Sequence, residues 1–94
     1  MSEKQENLYF CLPHCPHCKK ADRYFEDICR IMPEYQKAAD SFRRIDESEE
    51  AAFADKFDYY YVPTFYVDGV KIHEGTVTKR KVLAVLQEAA RRLG

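Results

Sequence analysis

Cys15 and Cys18 flank Pro16 and His17 where a short apolar run gives way to an amphipathic stretch, and this junction constrains the fold more than any other feature of the chain. The run Asn7-Leu8-Tyr9-Phe10-Cys11-Leu12 ends at Pro13, too short for a helix and rich in aromatics, which predicts a buried strand. After Pro16, Ala21, Tyr24, Phe25, Ile28 and Met32 recur at spacings of three and four. Lys19, Lys20, Asp22, Arg23, Glu26 and Asp27 fall between them, the pattern of one amphipathic helix that stops near Pro33. Pro16 fits the first helical turn, where its missing N–H breaks no hydrogen bond. Cys15 then occupies the N-cap. Its sulfur is expected near unsatisfied backbone N–H groups and the positive end of the helix dipole, both of which favour thiolate over thiol. Cys18, one turn further in, is expected to be buried and less acidic.

The remaining elements follow from similar signals. Glu34 to Asp40 has room for a further helical turn, with Pro33 as its first residue. Ser41-Phe42-Arg43-Arg44-Ile45-Asp46 reads as a strand. Ser48 is the expected N-cap of a helix through Glu49, Glu50, Ala51, Ala52, Phe53, Ala54 and Phe57, with acids in the first turn. Tyr59-Tyr60-Tyr61-Val62-Pro63 leads into a strand Thr64-Phe65-Tyr66-Val67. Asp68-Gly69 is the strongest hairpin signal, with Val70-Lys71-Ile72-His73 returning. Thr76 or Thr78 caps a last helix whose apolar side is Val82, Leu83, Leu86, Ala89, Ala90 and Leu93. The expected order is β-α-β-α-β-β-α. A parallel crossover in the first half and an antiparallel hairpin in the second give an α/β fold with a four-stranded mixed sheet flanked by helices.

Ninety-four residues set a ceiling of one domain, residues 1–94. Leu, Ile, Val and Phe supply 21 of them and seven tyrosines add to that, enough for a core. Fifteen Lys and Arg against sixteen Asp and Glu leave a formal charge of −1, without the basic excess that nucleic acid binding uses. No apolar run reaches the roughly 20 residues of a membrane span. Acids at Glu3 and Glu6 stand where a signal peptide has its basic region, so a cytoplasmic protein is expected; a monomer is expected as well. Structural disulfides rarely persist in that compartment, which leaves the four cysteines to be explained by chemistry or packing.

A C-x-x-C between a strand and a helix points to thiol–disulfide exchange. The Cys15 thiolate attacks a substrate disulfide, and Cys18 resolves the mixed disulfide by attacking Cys15. His14 and His17 flank the nucleophile, and a protonated His17 adds positive charge. Stabilising the thiolate stabilises the reduced form, so the disulfide is expected to be a stronger oxidant.

In these features the sequence resembles the thioredoxin superfamily over nearly its whole length. The matching parts are Cys15-Pro16-His17-Cys18 after the first strand and Val62-Pro63-Thr64 before a later one, which is similar to the family's cis-proline loop. Asp68-Gly69 and Gly75 fall where thioredoxins and glutaredoxins have a hairpin turn and a glycine. The resemblance implies a thioredoxin-like, glutaredoxin-type fold, a cis Pro63, and a Val62 backbone that pairs with substrate, with Thr64 beside it. It also implies a protein disulfide as substrate, no bound cofactor beyond the redox-active disulfide, and either an upstream reductase or glutathione as the reductant and co-substrate. Three departures are plain. Tryptophan is absent and His14 precedes Cys15. Tyr9 replaces the buried acid that thioredoxins carry six residues before the first cysteine. Gly75-Thr76-Val77-Thr78 does not reproduce the Gly-Gly and following Asp with which glutaredoxins hold glutathione.

Cys11, Cys15 and Cys18 also match the C-x3-C-x2-C that ligates iron–sulfur clusters in radical-SAM enzymes, but 94 residues cannot supply the barrel those enzymes use. A metal or iron–sulfur binding or delivery module is the alternative function, because His14, Cys15, His17 and Cys18 carry thiolate and imidazole within five positions. No particular metal ligand set is assigned. A helix starting at Pro16 turns His17 away from the sulfurs, and His73 lies in a distant strand. Cys11 and Cys29 read as core residues. Tyr59-Tyr60-Tyr61 is either a substrate rim or packing, and the acidic run Asp46 to Glu50 a solvated face.

Overall fold

Alternation along the first strand decides which helices lie on which side of the sheet. The structure, a computed structural model, describes residues 7–93; Met1 to Glu6, read above for their charge, and Gly94 lie outside them. Strand β1 (Asn7–Cys11) is followed by helix α1 (Pro16–Ile31), a 3-10 turn (Pro33–Tyr35), a short helix α2 (Gln36–Asp40) and strand β2 (Phe42–Asp46). Then come α3 (Ala51–Ala54), β3 (Thr64–Val67), β4 (Val70–Glu74) and α4 (Lys79–Leu93). The four strands form one mixed sheet in the order β2-β1-β3-β4. The β1–β2 pair is parallel and sets Tyr9 opposite Arg44, whereas β3 is antiparallel to both β1 and β4.

Tyr9, Cys11, Phe65 and Val67 face α1 and α4, where they are buried with Cys18, Ala21, Ile28, Val82, Val85, Leu86 and Ala89. Leu8, Phe10 and Tyr66 point to the other face and meet Ile45 and Ala54. On that side Phe10 packs against Tyr59 and Phe57 with centroids 4.7 and 5.1 Å apart. The hairpin turns at Asp68 and Gly69, both with positive φ, as a two-residue loop of this type requires.

Several local expectations are corrected. Ser48 does not cap α3: its N–H and hydroxyl both donate to Asp46, and the helix starts later, at Ala51, with Glu50 as an N-cap that makes no side-chain bond. Phe57 therefore lies beyond α3. Of the two threonines expected to cap α4, Thr78 does so, accepting the Lys81 N–H at 3.2 Å. Leu93 is 42 % exposed, and Val85 takes a place in the core instead. Cys11 and Cys29 are buried, Cys11 at the end of β1 with its sulfur 3.6 Å from the Ile45 carbonyl oxygen.

Candidate active site

The N-terminus of α1 meets the loop before β3 at one edge of the sheet. Cys15 is the N-cap of α1, with extended backbone angles and Pro16 next to it in the first turn. Its Sγ accepts the Cys18 N–H at 3.2 Å, a bond to one of the helix's orphan donors that stabilises negative charge on sulfur. Cys15 is half-buried and Cys18 is 1 % exposed. Burial, followed by the hydrogen bond to Cys15, pushes the Cys18 thiol up to about 12. The two sulfurs therefore differ in access and in environment as the spacing predicts. All four cysteines are free thiols.

The facing loop supplies Val62 and Pro63, joined by a cis peptide bond, with the Val62 carbonyl oxygen 4.0 Å from Cys15 Sγ. The loop is tied at several points. Gly75, at φ +91°, donates its N–H to the Pro63 carbonyl at 2.8 Å. The Glu74 carboxylate accepts the N–H groups of Tyr60 and Tyr61 and pairs with Lys71 at 2.7 Å. Those contacts, the Lys71 bond first, hold its carboxyl down at about 2. Thr64, expected beside the substrate-pairing backbone, is fully buried, and its hydroxyl donates to the Tyr61 carbonyl, so its side chain braces the loop from within the fold. His14 and His17 are exposed beside Cys15, and Lys19 and Lys20 are exposed after Cys18.

Beneath the two cysteines lies a polar cluster that sequence reading misses. The Tyr9 hydroxyl lies 2.9 Å from the Cys18 carbonyl oxygen and 2.8 Å from Asp22 Oδ1, within donating reach of both. Arg44 grips both oxygens of Asp22, at 2.8 and 2.6 Å, while its guanidinium stacks 4.8 Å over the Tyr9 ring. Burial, then the neighbouring Asp22 carboxylate, pushes the Tyr9 phenol far above its ordinary range. Tyr9 thus stays a neutral donor that ties α1 to the central strand. The signal in the sequence was the i, i+4 spacing of Cys18 and Asp22, but only the β1–β2 register brings Arg44 to them. Among the described residues, no group of three or more His, Cys, Asp or Glu side chains converges as a metal site would.

No protein-family model matches the chain, and no curated protein matches it. Among solved structures, a malarial protein superposes with a TM-score of 0.61 at 17 % identity, over 88 % of this chain and 93 % of that one. At that identity the likeness concerns the fold alone.

Proposed function

We propose that this protein is a thiol–disulfide oxidoreductase with a thioredoxin-like fold, working with Cys15 as nucleophile and Cys18 as resolving thiol. The observation that carries the reading is the pairing of a half-buried Cys15 sulfur at a helix N-cap with a buried Cys18 one turn on, opposite the Val62 carbonyl. The strand order β2-β1-β3-β4, with one parallel pair, supports the thioredoxin-like assignment.

In the forward reaction the Cys15 thiolate attacks one sulfur of a substrate disulfide. A mixed disulfide forms and the other substrate sulfur leaves as a thiolate. Cys18 then loses its proton and attacks Cys15 Sγ, forming the Cys15–Cys18 disulfide and releasing the second substrate thiol. Two electrons pass from the protein dithiol to the substrate. An external dithiol or two glutathione molecules restore the starting state. No helix among the described residues is long and apolar enough to cross a membrane. A cytoplasmic setting, with its reducing thiol pool, suits a disulfide that must be recharged.

Reduction of insulin disulfides with dithiothreitol as electron donor tests the reading. The protein is expected to precipitate the insulin B chain well above the dithiothreitol background, and Cys15→Ser is expected to abolish that gain. Stoichiometric metal held through Cys15 and Cys18 after anaerobic purification, with no disulfide reduction, would contradict it.

A further inference from the structure

Beside the reactive cysteine runs a groove of about 470 Å³. One wall is Leu12, whose carbonyl accepts the Cys15 N–H and which therefore belongs to the active-site loop. Tyr59 and Tyr60, which precede the Val62–Pro63 loop in the chain, line the groove too, as does Phe57. Residues that adjoin the cysteine loop and the Val62–Pro63 loop in the chain thus line one depression.

The aromatic wall is built for contact. Tyr60 is 85 % exposed and Tyr61 70 %, yet the Glu74 carboxylate pins both of their backbone N–H groups. Tyr59 is anchored by its hydroxyl on Glu47 and by its ring on Phe10. An exposed tyrosine on a fixed backbone offers a large amphipathic surface and loses little conformational entropy when a partner covers it. Two acids and two alanines, Glu47, Asp55, Ala51 and Ala54, complete the lining. Glu47 and Asp55 face the groove, Asp55 is exposed, and residues 46–58 hold six acids and a single lysine. Lys56 in that segment sits 5.9 Å over the Phe53 ring, and Arg43 pairs with Glu50, so these cations are already engaged on α3.

Resting on the oxidoreductase reading above, we infer that this groove seats an extended segment of a protein substrate carrying Lys or Arg next to its disulfide cysteine. An extended chain at the Val62 backbone runs on past Tyr60 towards Glu47 and Asp55. Its apolar stem packs on the tyrosine, and its cationic head meets the carboxylates. Glutathione carries two carboxylates and one ammonium, so the same lining repels it at this side of the cysteine. The groove therefore selects a cationic protein segment over a small anionic thiol.

The test uses the full chain, pre-reduced, against three substrates. Two are peptide disulfides identical except for Lys or Glu two positions from each cysteine; the third is oxidised glutathione. The lysine peptide is expected to show a kcat/KM about tenfold above that of the glutamate peptide at low salt, the gap closing at high ionic strength. Asp55→Lys is expected to bring the ratio of the two peptides to near one or below. Tyr60→Ala is expected to raise KM for both. The Asp55 side chain is exposed and makes no ion pair or hydrogen bond among the described residues, and its backbone N–H bond to Ala51 does not depend on the side chain, so the variant is expected to fold, which circular dichroism checks. Equal rates for the two peptides, a preference unchanged in Asp55→Lys, or oxidised glutathione outpacing both peptides would overturn the inference while leaving the oxidoreductase reading standing. Failure to reduce any of the three would overturn both.

Discussion

Cys15 and Cys18 share a helical turn, yet Cys15 is half-buried at the N-cap and Cys18 is enclosed, and that asymmetry is the ground on which we propose attack by the first and resolution by the second. Its spacing was legible from Pro16 onward, because a proline between two cysteines fixes where the helix starts. The cluster of Tyr9, Asp22 and Arg44 was not legible. Those residues are 13 and 22 positions apart along the chain, and only strand register joins them. Tyr9, noted in the sequence only as the replacement for an acid, is where the core is polar. Tyr9→Phe removes a buried hydroxyl with two acceptors while leaving Asp22 its bonds to Arg44. The expected cost is about 1 kcal/mol of stability, read as a lower urea midpoint at unchanged slope. A midpoint equal to that of the unaltered protein would show that the hydroxyl merely replaces water.

Among the elements, strands and long helices were read from periodicity, and the short pieces were not. Asp46 captures the N–H and hydroxyl of Ser48 in a local turn, which beats helix capping there and delays α3 to Ala51. Leu93 fits the period of α4 but is its last residue and is exposed, whereas Val85, in mid-helix, is buried in the core. The loop before β3 depends on a contact that no local pattern reveals, the Glu74 carboxylate on the Tyr60 and Tyr61 N–H groups. Glu74→Ala is expected to speed amide exchange at Tyr60 and Tyr61 by at least about fivefold, with α1 and α4 unaffected. The pH dependence has a definite sign. Glu74 is depressed from 4.5 to about 2 in the folded protein, so its contribution is complete above about 4.5 and disappears as pH falls through about 2. Protection of the two amides should follow that course in the unaltered protein and be flat in Glu74→Ala.

At the scale of the whole molecule, a net charge of −1 conceals two unlike surfaces. His14, His17, Lys19 and Lys20 stand at the cysteine helix with no acid between residues 12 and 20, whereas residues 46–58 hold six acids, of which Glu47 and Asp55 line the groove. The four-stranded mixed sheet with flanking helices was legible from the crossover and the Asp68-Gly69 hairpin, whereas the groove was not, since Leu12 and Tyr60 become neighbours only once β1 and β3 pair. The division of roles between Cys15 and Cys18 is the central claim, and trapping tests it most directly. A Cys18→Ser variant mixed with a peptide disulfide should accumulate one stable mixed disulfide, mapped by mass spectrometry to Cys15, while Cys15→Ser accumulates none. An adduct at Cys11 or Cys29 in the first variant, or an equally rapid adduct at Cys18 in the second, would contradict it.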